Sequence, residues 1–191
     1  MREPVSTALL SVDAFSDLLA STQGALHGFV RGLLHDVEEA RDVVQEVFAD
    51  AWRLRQRGGA PFDGGSEREA MRRWLFHAAY CEAISVTRHR SVLIIDHLED
   101  TDSDNYRETH PTQPFENRVL EAEVLRTVLS SLSSTDAACL LLNVIQGFTS
   151  SEIAPIAGIT AEAAKRRVSR AKERLRRAYF ALQAPEQESQ R

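Results

Sequence analysis

The sequence is poor in cysteine, has no long apolar run and shows almost no strand-like alternation. Its 191 residues include two cysteines, Cys81 and Cys139, which form no CxxC motif, so we expect reduced thiols rather than a disulfide framework. The apolar stretch near the N-terminus is short and runs directly into Asp13, which argues against a signal peptide and against a membrane span. We therefore expect a cytoplasmic protein.

Sequence signatures of common catalysts are also missing. The chain has no glycine-rich phosphate loop of the GxxxxGK[ST] kind and no GxSxG elbow. No histidine follows a glutamate at the Glu-x-x-His spacing of carboxylate-bridged metal bundles. His77 and Cys81 could supply two zinc ligands, but no second pair stands at zinc-finger spacing. We expect neither an enzyme nor a bound metal or other cofactor.

What the sequence does contain is helical periodicity. Apolar residues recur at intervals of three and four, which predicts an all-α fold, and only residues 92–95 resemble a strand. A small polar residue followed by a carboxylate three positions later predicts capping boxes at Asp36, Ser66 and Thr149. The predicted helices span residues 14–34, 37–56 and 67–89 in the first half, and 116–131, 135–146, 150–157 and 161–181 in the second.

The first helix contains the series Gly24, Gly28 and Gly32. Each glycine inside a helix costs about 1 kcal/mol relative to alanine, so close packing against another helix is the expected compensation. A membrane dimer motif is the alternative, but His27 and Arg31 interrupt any apolar span.

Charge is distributed unevenly around the formal net value of -5. Residues 96–118 contain seven acids against two bases, together with Pro111 and Pro114, and this composition predicts a flexible acidic linker at 96–115. Residues 165–177 instead contain eight bases and one acid. We predict two small helical domains, residues 1–95 and 116–182, joined by this linker and followed by a disordered tail at 183–191.

The stretch RDVVQEVFADAW, residues 41–52, places Asp42, Gln45, Glu46 and Asp50 along one helix face, opposite an apolar set. Such a column could be an acid/base or metal site, a docking surface or a solvated face. The missing histidine partners and phosphate loops remove most of the support for an active site. Because charge complementarity sets orientation and association rate, such a face would suit docking on a partner, and the choice between a docking surface and a solvated face is open at this point.

Residues 149–177 follow the order of a helix-turn-helix: a capped short helix, a turn at 157–159 and a longer basic helix. On the outer side of the second helix the spacing places Lys165, Arg166, Arg167 and Arg170. Lysine and arginine neutralise phosphates, and arginine can bind guanine edges with two hydrogen bonds. A solvated basic face is the alternative interpretation.

The order of these motifs resembles bacterial RNA polymerase sigma factors of the extracytoplasmic-function (ECF) type, in the sigma-70 family. ARDVVQEVFADAW followed by RRWLFHAAY is similar to sigma region 2, and LLLNVIQGFTSSEIAPIAGITAEAAKRRVSRAKERLRR is similar to region 4. The resemblance covers nearly the whole chain. It implies a region 2 helical bundle at 1–95 and a region 4 helix-turn-helix at 116–182, with no catalytic chemistry.

The resemblance also implies partners and site residues. It implies that the chain binds core RNA polymerase and promoter DNA, and that a regulatory partner such as an anti-sigma factor holds it inactive. The residues that match polymerase-docking positions are Asp42, Gln45 and Glu46, whereas Asp50 lies one turn beyond the matching motif and is interpreted as solvated. Minus-ten contacts, where unpaired bases meet cationic and aromatic side chains, fall on Arg72, Arg73, His77, Tyr80 and Arg88. Minus-thirty-five contacts fall on Thr160, Ala161, Glu162, Lys165, Arg166, Arg167 and Arg170.

Several residues depart from the family pattern. The usual Arg-Asn pair is Tyr80-Cys81, and a usual aspartate is Ser85. In region 4, Ser133 replaces a proline and Ala137 replaces an arginine, while Pro155 removes a backbone hydrogen bond and should shorten or kink its helix. These departures fit either a divergent promoter specificity or a second hypothesis: a helix-turn-helix DNA-binding regulator, sigma-like but not autonomously active in initiation.

Overall fold

The computed structural model describes residues 10–57, 66–97 and 125–183, and these residues are helical except at short turns. The prediction of an all-α fold is confirmed. In chain order the helices are α1 (Val12–Leu34), α2 (Val37–Gln56), α3 (Glu67–His97), α4 (residues 125–131), α5 (Ser134–Val144), α6 (Ser150–Ala157) and α7 (Ala161–Gln183).

Most predicted helix boundaries agree with these bounds to within two residues, and α3 is the exception. It continues to His97 instead of ending near residue 89, and so includes the strand-like residues 92–95. The β-branched residues there have no partner strand within the described part of the chain, and the helix continues through them. The predicted start at 116, most of the acidic linker and residues 184–191 of the tail lie outside the described residues.

Two of the three predicted capping boxes are present in full. Ser66 and Glu69 exchange hydrogen bonds of 3.0 and 3.3 Å, and Thr149 and Glu152 form the same reciprocal arrangement at the start of α6. At Asp36 the prediction is half wrong. Its carboxylate does accept from the Glu38 and Glu39 amides, but the Glu39 carboxylate accepts from Arg90 of α3 at 3.0 Å instead of reaching back.

Arg90 is a cross-link between α3 and the turn that joins α1 to α2. Besides its bond to Glu39, it donates to the Leu34 carbonyl oxygen at 3.2 Å. That carbonyl belongs to the last turn of α1, where intrahelical donors are missing, and His35 follows in the left-handed conformation at φ 57°. The first three helices are thereby held in a fixed arrangement.

One apolar core runs through both halves of the chain. Phe76 of α3 is fully buried and lies between Phe29 of α1, at a ring-centroid distance of 5.4 Å, and Phe148 of the α5–α6 connection, at 5.3 Å. Both pairs meet edge to face, the arrangement that aromatic quadrupoles favour. The second half therefore packs directly on α1 and α3.

The glycine series of α1 permits this packing at one position only. A Cβ atom added to Gly32 would lie 2.8 Å from Cδ1 of Leu141 in α5, whereas Gly24 and Gly28 have open space around them. The prediction that close helix packing compensates for the glycines is thus confirmed for Gly32. It is wrong for Gly24 and Gly28, because neither approaches another helix.

Candidate nucleic-acid interface

The helix-turn-helix is built by local signals at both ends of α6. The capping box fixes its start, and the left-handed residue Gly158, with φ 65°, ends it. Thr160 then caps α7, because its hydroxyl oxygen accepts from the Ala163 amide at 3.2 Å. Apolar contacts hold the two helices together through buried side chains at Ile153, Ile156, Ala164, Val168 and Ala171.

The outer face of α7 is basic and accessible. Lys165, Arg166 and Arg170 are exposed, as are the predicted contact residues Thr160, Ala161 and Glu162 at the start of the helix. These residues form a continuous N-terminal surface on a helix whose opposite side is buried. The arrangement suits insertion of a helix into a DNA groove, with cations available to phosphates.

Arg167 differs from its basic neighbours because it is already engaged. It is half-buried and donates to Oδ1 of Asp136 at 2.8 Å, which ties α7 to the first turn of α5. Ser133 caps α5 and also donates to Oδ2 of Asp136 at 2.9 Å. Burial alone would raise the pKa of Asp136, but the hydrogen bonds from Arg167 and Ser133 outweigh it and the pKa is lowered.

The carboxylate column of α2 is fully displayed. Asp42, Gln45, Glu46 and Asp50 are all exposed, and the opposite face is anchored by buried valines. Arg53 donates to Glu46 at 3.0 Å and to Asp50 at 2.5 Å, and its hydrogen bond to Glu46 is the main reason that the pKa of Arg53 is raised. Within the described residues, no group of three or more His, Cys, Asp or Glu side chains is placed to hold a metal ion.

Three of the five predicted minus-ten residues of α3 contact the second half of the chain. Arg72 donates to the Gln146 carbonyl oxygen at 2.9 Å, and its guanidinium stacks 4.2 Å from the centroid of the Phe148 ring. Nδ1 of His77 lies 2.9 Å from the Ile156 carbonyl oxygen, and the Tyr80 hydroxyl lies 3.0 Å from the Thr135 hydroxyl. Arg73 is half-buried, and Arg88 is exposed.

Comparison with known proteins agrees with the placement of these motifs. A sequence profile described as "Sigma-70, region 4" matches residues 122–175. The structure is similar to that of the sigma factor RpoE from Bartonella quintana, solved with the anti-sigma factor NepR, at 27% identity and a TM-score of 0.70. That match covers 88% of this chain and 98% of the RpoE chain.

The chain therefore contains a sigma-70 region 4 segment and resembles ECF sigma factors over most of its length. A second similar structure is CnrH in complex with the cytosolic domain of CnrY, at 22% identity and a TM-score of 0.62, with 90% of each chain covered. The similarity to CnrH supports the assignment of the fold alone. No curated protein sequence is significantly similar to the chain. The predicted resemblance to ECF sigma factors and the predicted helical fold of that class are confirmed.

The departures of the chain from the sigma-factor pattern include a residue at which its two halves meet. Tyr80 binds Thr135, Ser133 caps α5 where a proline was expected, and Ala137 is buried. Cys81 is exposed beside His77, with Sγ 3.7 Å from Nε2, and the partial shielding of its thiol from water raises the pKa of that thiol. Pro155 lies in the last turn of α6, which has eight residues and is short, as expected.

Sequence reasoning missed four residues that organise these surfaces. Asp136 positions Arg167, Gln146 and Phe148 receive Arg72, and Arg90 joins three helices. A local signal existed only for Asp136, which stands three residues after Ser133 at a capping spacing. Finally, no helix within residues 10–57, 66–97 and 125–183 has the length and apolar character required to cross a membrane.

Proposed function

We propose that the chain binds core RNA polymerase and directs it to promoters for transcription initiation, with no chemical step of its own. The observation that carries this proposal is the exposed acidic and amide face of α2 in a chain that resembles ECF sigma factors. Asp42, Gln45 and Glu46 stand on a helix whose other side is locked into the core. A rigid face of this kind presents its charges in a fixed orientation to a basic surface on the polymerase.

Promoter recognition by region 4 is assigned to the start of α7. Lys165, Arg166 and Arg170 are the exposed cations, and Thr160, Ala161 and Glu162 occupy the end that would enter a major groove. Arg167 shares this helix, but its bond to Asp136 makes it a residue that positions α7 against α5. We expect its contribution to DNA binding to come through that position.

Minus-ten recognition is assigned to the face of α3 that holds Arg72, Arg73, His77 and Tyr80, together with Arg88 toward its other end. Cationic and aromatic side chains of this kind stack on unpaired bases and bind the backbone, and each stacked base contributes about 1 to 3 kcal/mol. Four of the five residues are half-buried against the rest of the chain, whereas Arg88 is exposed.

Regulation by a protein partner is part of the same proposal. RpoE from Bartonella quintana is bound by the anti-sigma factor NepR, and CnrH is bound by the cytosolic domain of CnrY. We propose that a partner of the anti-sigma class likewise binds this chain.

Binding to purified core polymerase tests the docking surface. Glu46→Lys should weaken polymerase binding by about tenfold, which corresponds to about 1.4 kcal/mol. The substitution puts a positive charge opposite the basic surface of the polymerase, where the wild-type chain has a negative one. Asp50→Lys is the matched control, since it makes the same charge change on the same helix and loses an ion pair with the same Arg53. Equal affinities for the two variants would refute the assignment of the docking face.

A second function remains specific enough to test: a helix-turn-helix regulator that binds DNA without recruiting polymerase. The basic face of α7 supports this DNA-binding regulator as well as it supports a sigma factor, because no residue of α2 contributes to that face. Lack of binding between the wild-type chain and core polymerase, combined with sequence-specific DNA binding, would favour this regulator over the sigma factor.

A further inference from the structure

Asp136 connects the first turn of α5 to α7, the second helix of the helix-turn-helix, through both of its carboxylate oxygens. Its Oδ1 accepts a hydrogen bond from Arg167 at 2.8 Å, and its Oδ2 accepts one from the Ser133 hydroxyl at 2.9 Å. The Ser133 hydroxyl oxygen in turn accepts from the Asp136 amide at 3.2 Å. The carboxylate is therefore held from two sides, and it presents a fixed, charged acceptor to the arginine.

The Arg167 side chain lies at the edge of the surface that is assigned to DNA. A surface depression of about 500 Å³ on α7 is lined by Ala163, Arg166, Arg167, Ser169 and Arg170. Arg166 and Arg170 are exposed cations, whereas the Arg167 side chain is only 31% exposed and is bonded to α5. Because Arg167 borders the same depression as these two cations, its guanidinium could reach the same DNA backbone if its bond to α5 were broken.

We propose that Asp136 is a positioning residue that withholds Arg167 from DNA phosphates and thereby limits sequence-independent binding by α7. This inference rests on the proposed function, because it takes the outer face of α7 to bind DNA. Phosphate contacts from lysine and arginine supply essentially all of the sequence-independent affinity for DNA, and each contact adds about one unit to the slope of log affinity against log salt. With one cation withheld, a larger share of the binding is left to contacts that read bases.

The negative charge of Asp136 acts in the same direction as its hydrogen bond. Burial would raise the pKa of Asp136, but the hydrogen bonds from Arg167 and Ser133 and the charges of Arg167 and Arg170 outweigh it and lower the pKa. The carboxylate is therefore ionised at neutral pH, within electrostatic reach of the exposed Arg170. A negative charge at this place offsets part of the positive potential that attracts DNA without regard to sequence.

The residue that steadies Asp136 is a departure from the sigma-factor pattern. A proline was expected at position 133, and a proline side chain has no hydrogen-bond donor. Here Ser133 is the N-cap of α5, and its hydroxyl also donates to the Asp136 carboxylate. The hold on Arg167 thus includes a contact that the family pattern would not supply.

Asp136→Ala removes the acceptor and should release Arg167. Because α5 keeps its N-cap at Ser133 and alanine is a good helix former, the substitution leaves the local causes of the helix in place. The released cation adds one phosphate contact, so the slope of log affinity against log salt should steepen by about one unit. Between about 50 and 200 mM salt, the affinity of the variant should then fall about 3.5-fold more than that of the wild-type chain.

Two further variants isolate the contribution of the released arginine. In the double variant Asp136→Ala/Arg167→Met the cation is absent, so the slope should return to the wild-type value. Glu173→Ala is the matched control, because it also removes one acid and frees arginines of the same helix, here Arg176 and Arg177. These two arginines lie about 9 Å or more along the helix axis beyond the depression. Glu173→Ala should therefore change the slope much less than Asp136→Ala does.

The experiment measures binding of the full chain to a short fluorescent duplex of random sequence by anisotropy, over a range of salt concentrations. Asp136→Ala should have a steeper slope than wild type, and Ser133→Ala, which takes one hydrogen bond from the carboxylate, should steepen the slope by less. An unchanged slope in Asp136→Ala would overturn the inference. Equal steepening in Asp136→Ala/Arg167→Met or in Glu173→Ala would also overturn it, because the lost negative charge alone would then explain the effect.

The outcomes also separate this inference from the proposed function. A steeper slope in Asp136→Ala, without sequence-specific binding by any of the chains, would support the withheld arginine while promoter recognition fails. Sequence-specific binding by wild type, with no change of slope in Asp136→Ala, would overturn this inference alone. If no chain binds the random duplex even at low salt, both fail, because α7 is then not a DNA-binding face. Should Asp136→Ala lose its helical circular dichroism, Asp136→Asn decides, and an unchanged slope in that variant overturns the inference.

Discussion

The ion pair between Asp136 and Arg167 should stabilise the second half of the chain measurably. The two side chains are 21% and 31% exposed and meet at 2.8 Å, which places the pair between an exposed salt bridge and a buried one. Exposed pairs contribute about 0.2 to 1 kcal/mol and hydrogen bonds to charged groups about 1.5 to 3, so we expect a coupling of about 1 kcal/mol. A double-mutant cycle of Asp136→Asn and Arg167→Met, followed by urea denaturation, measures it.

The pH dependence of the same variants provides the control. The pKa of Asp136 is lower in the folded chain than in the unfolded one. The ionised carboxylate therefore stabilises the fold fully above the ordinary aspartate pKa near 4, and this stabilisation is lost as pH falls through the lower pKa of the folded state. The difference in unfolding free energy between wild type and Asp136→Asn should be complete at pH 7 and shrink below about pH 4. A coupling indistinguishable from zero, or a difference that does not change with pH, would refute the reasoning.

Three further outcomes follow from other residues. Arg166→Met should flatten the slope of log affinity for DNA against log salt by about one unit, and Arg167→Met should change it little, as measured by fluorescence anisotropy. Cys139, fully buried and with burial raising its pKa to about 11, should react with a thiol reagent at pH 8 only on unfolding, whereas exposed Cys81 should react in the native chain. Thr149→Ala should lower the unfolding free energy by about 1 kcal/mol and Thr149→Ser by far less, as measured by urea denaturation.

Local features of the fold were predictable because their causes are local. The start of α6 follows from the hydrogen bonds of Thr149 and Glu152, and its end follows from Gly158. Both ends of α2 agree with the helical periodicity and with the cap at Asp36. These interactions join residues within four positions of one another, so single-sequence spacing is sufficient to find them.

The contacts between the halves were not predictable in the same way. Arg72 meets Gln146, and Tyr80 meets Thr135, across separations of 74 and 55 residues. No sequence periodicity links such residues. A helix face of basic and aromatic residues has the same sequence pattern whether it binds DNA or packs against protein. The glycine series did indicate a close approach, but only the surroundings of Gly32 show which glycine makes it.

The position of Glu39 shows how a distant group changes a local prediction. Its spacing from Asp36 is that of a capping box, yet the Glu39 carboxylate accepts a hydrogen bond from Arg90, 51 residues later. An arginine offers several donors to a carboxylate, so it outcompetes the single backbone amide of a cap. The helix keeps its start because Asp36 still caps two amides.

Run-off transcription with purified core polymerase tests the central claim most directly. Core polymerase is incubated with a library of genomic promoter fragments, with and without the wild-type chain, and transcript starts are mapped. We expect specific start sites that appear only when the chain is added and that are lost or strongly reduced with Glu46→Lys. The same transcripts with and without the chain, while the chain still binds DNA through α7, would contradict it.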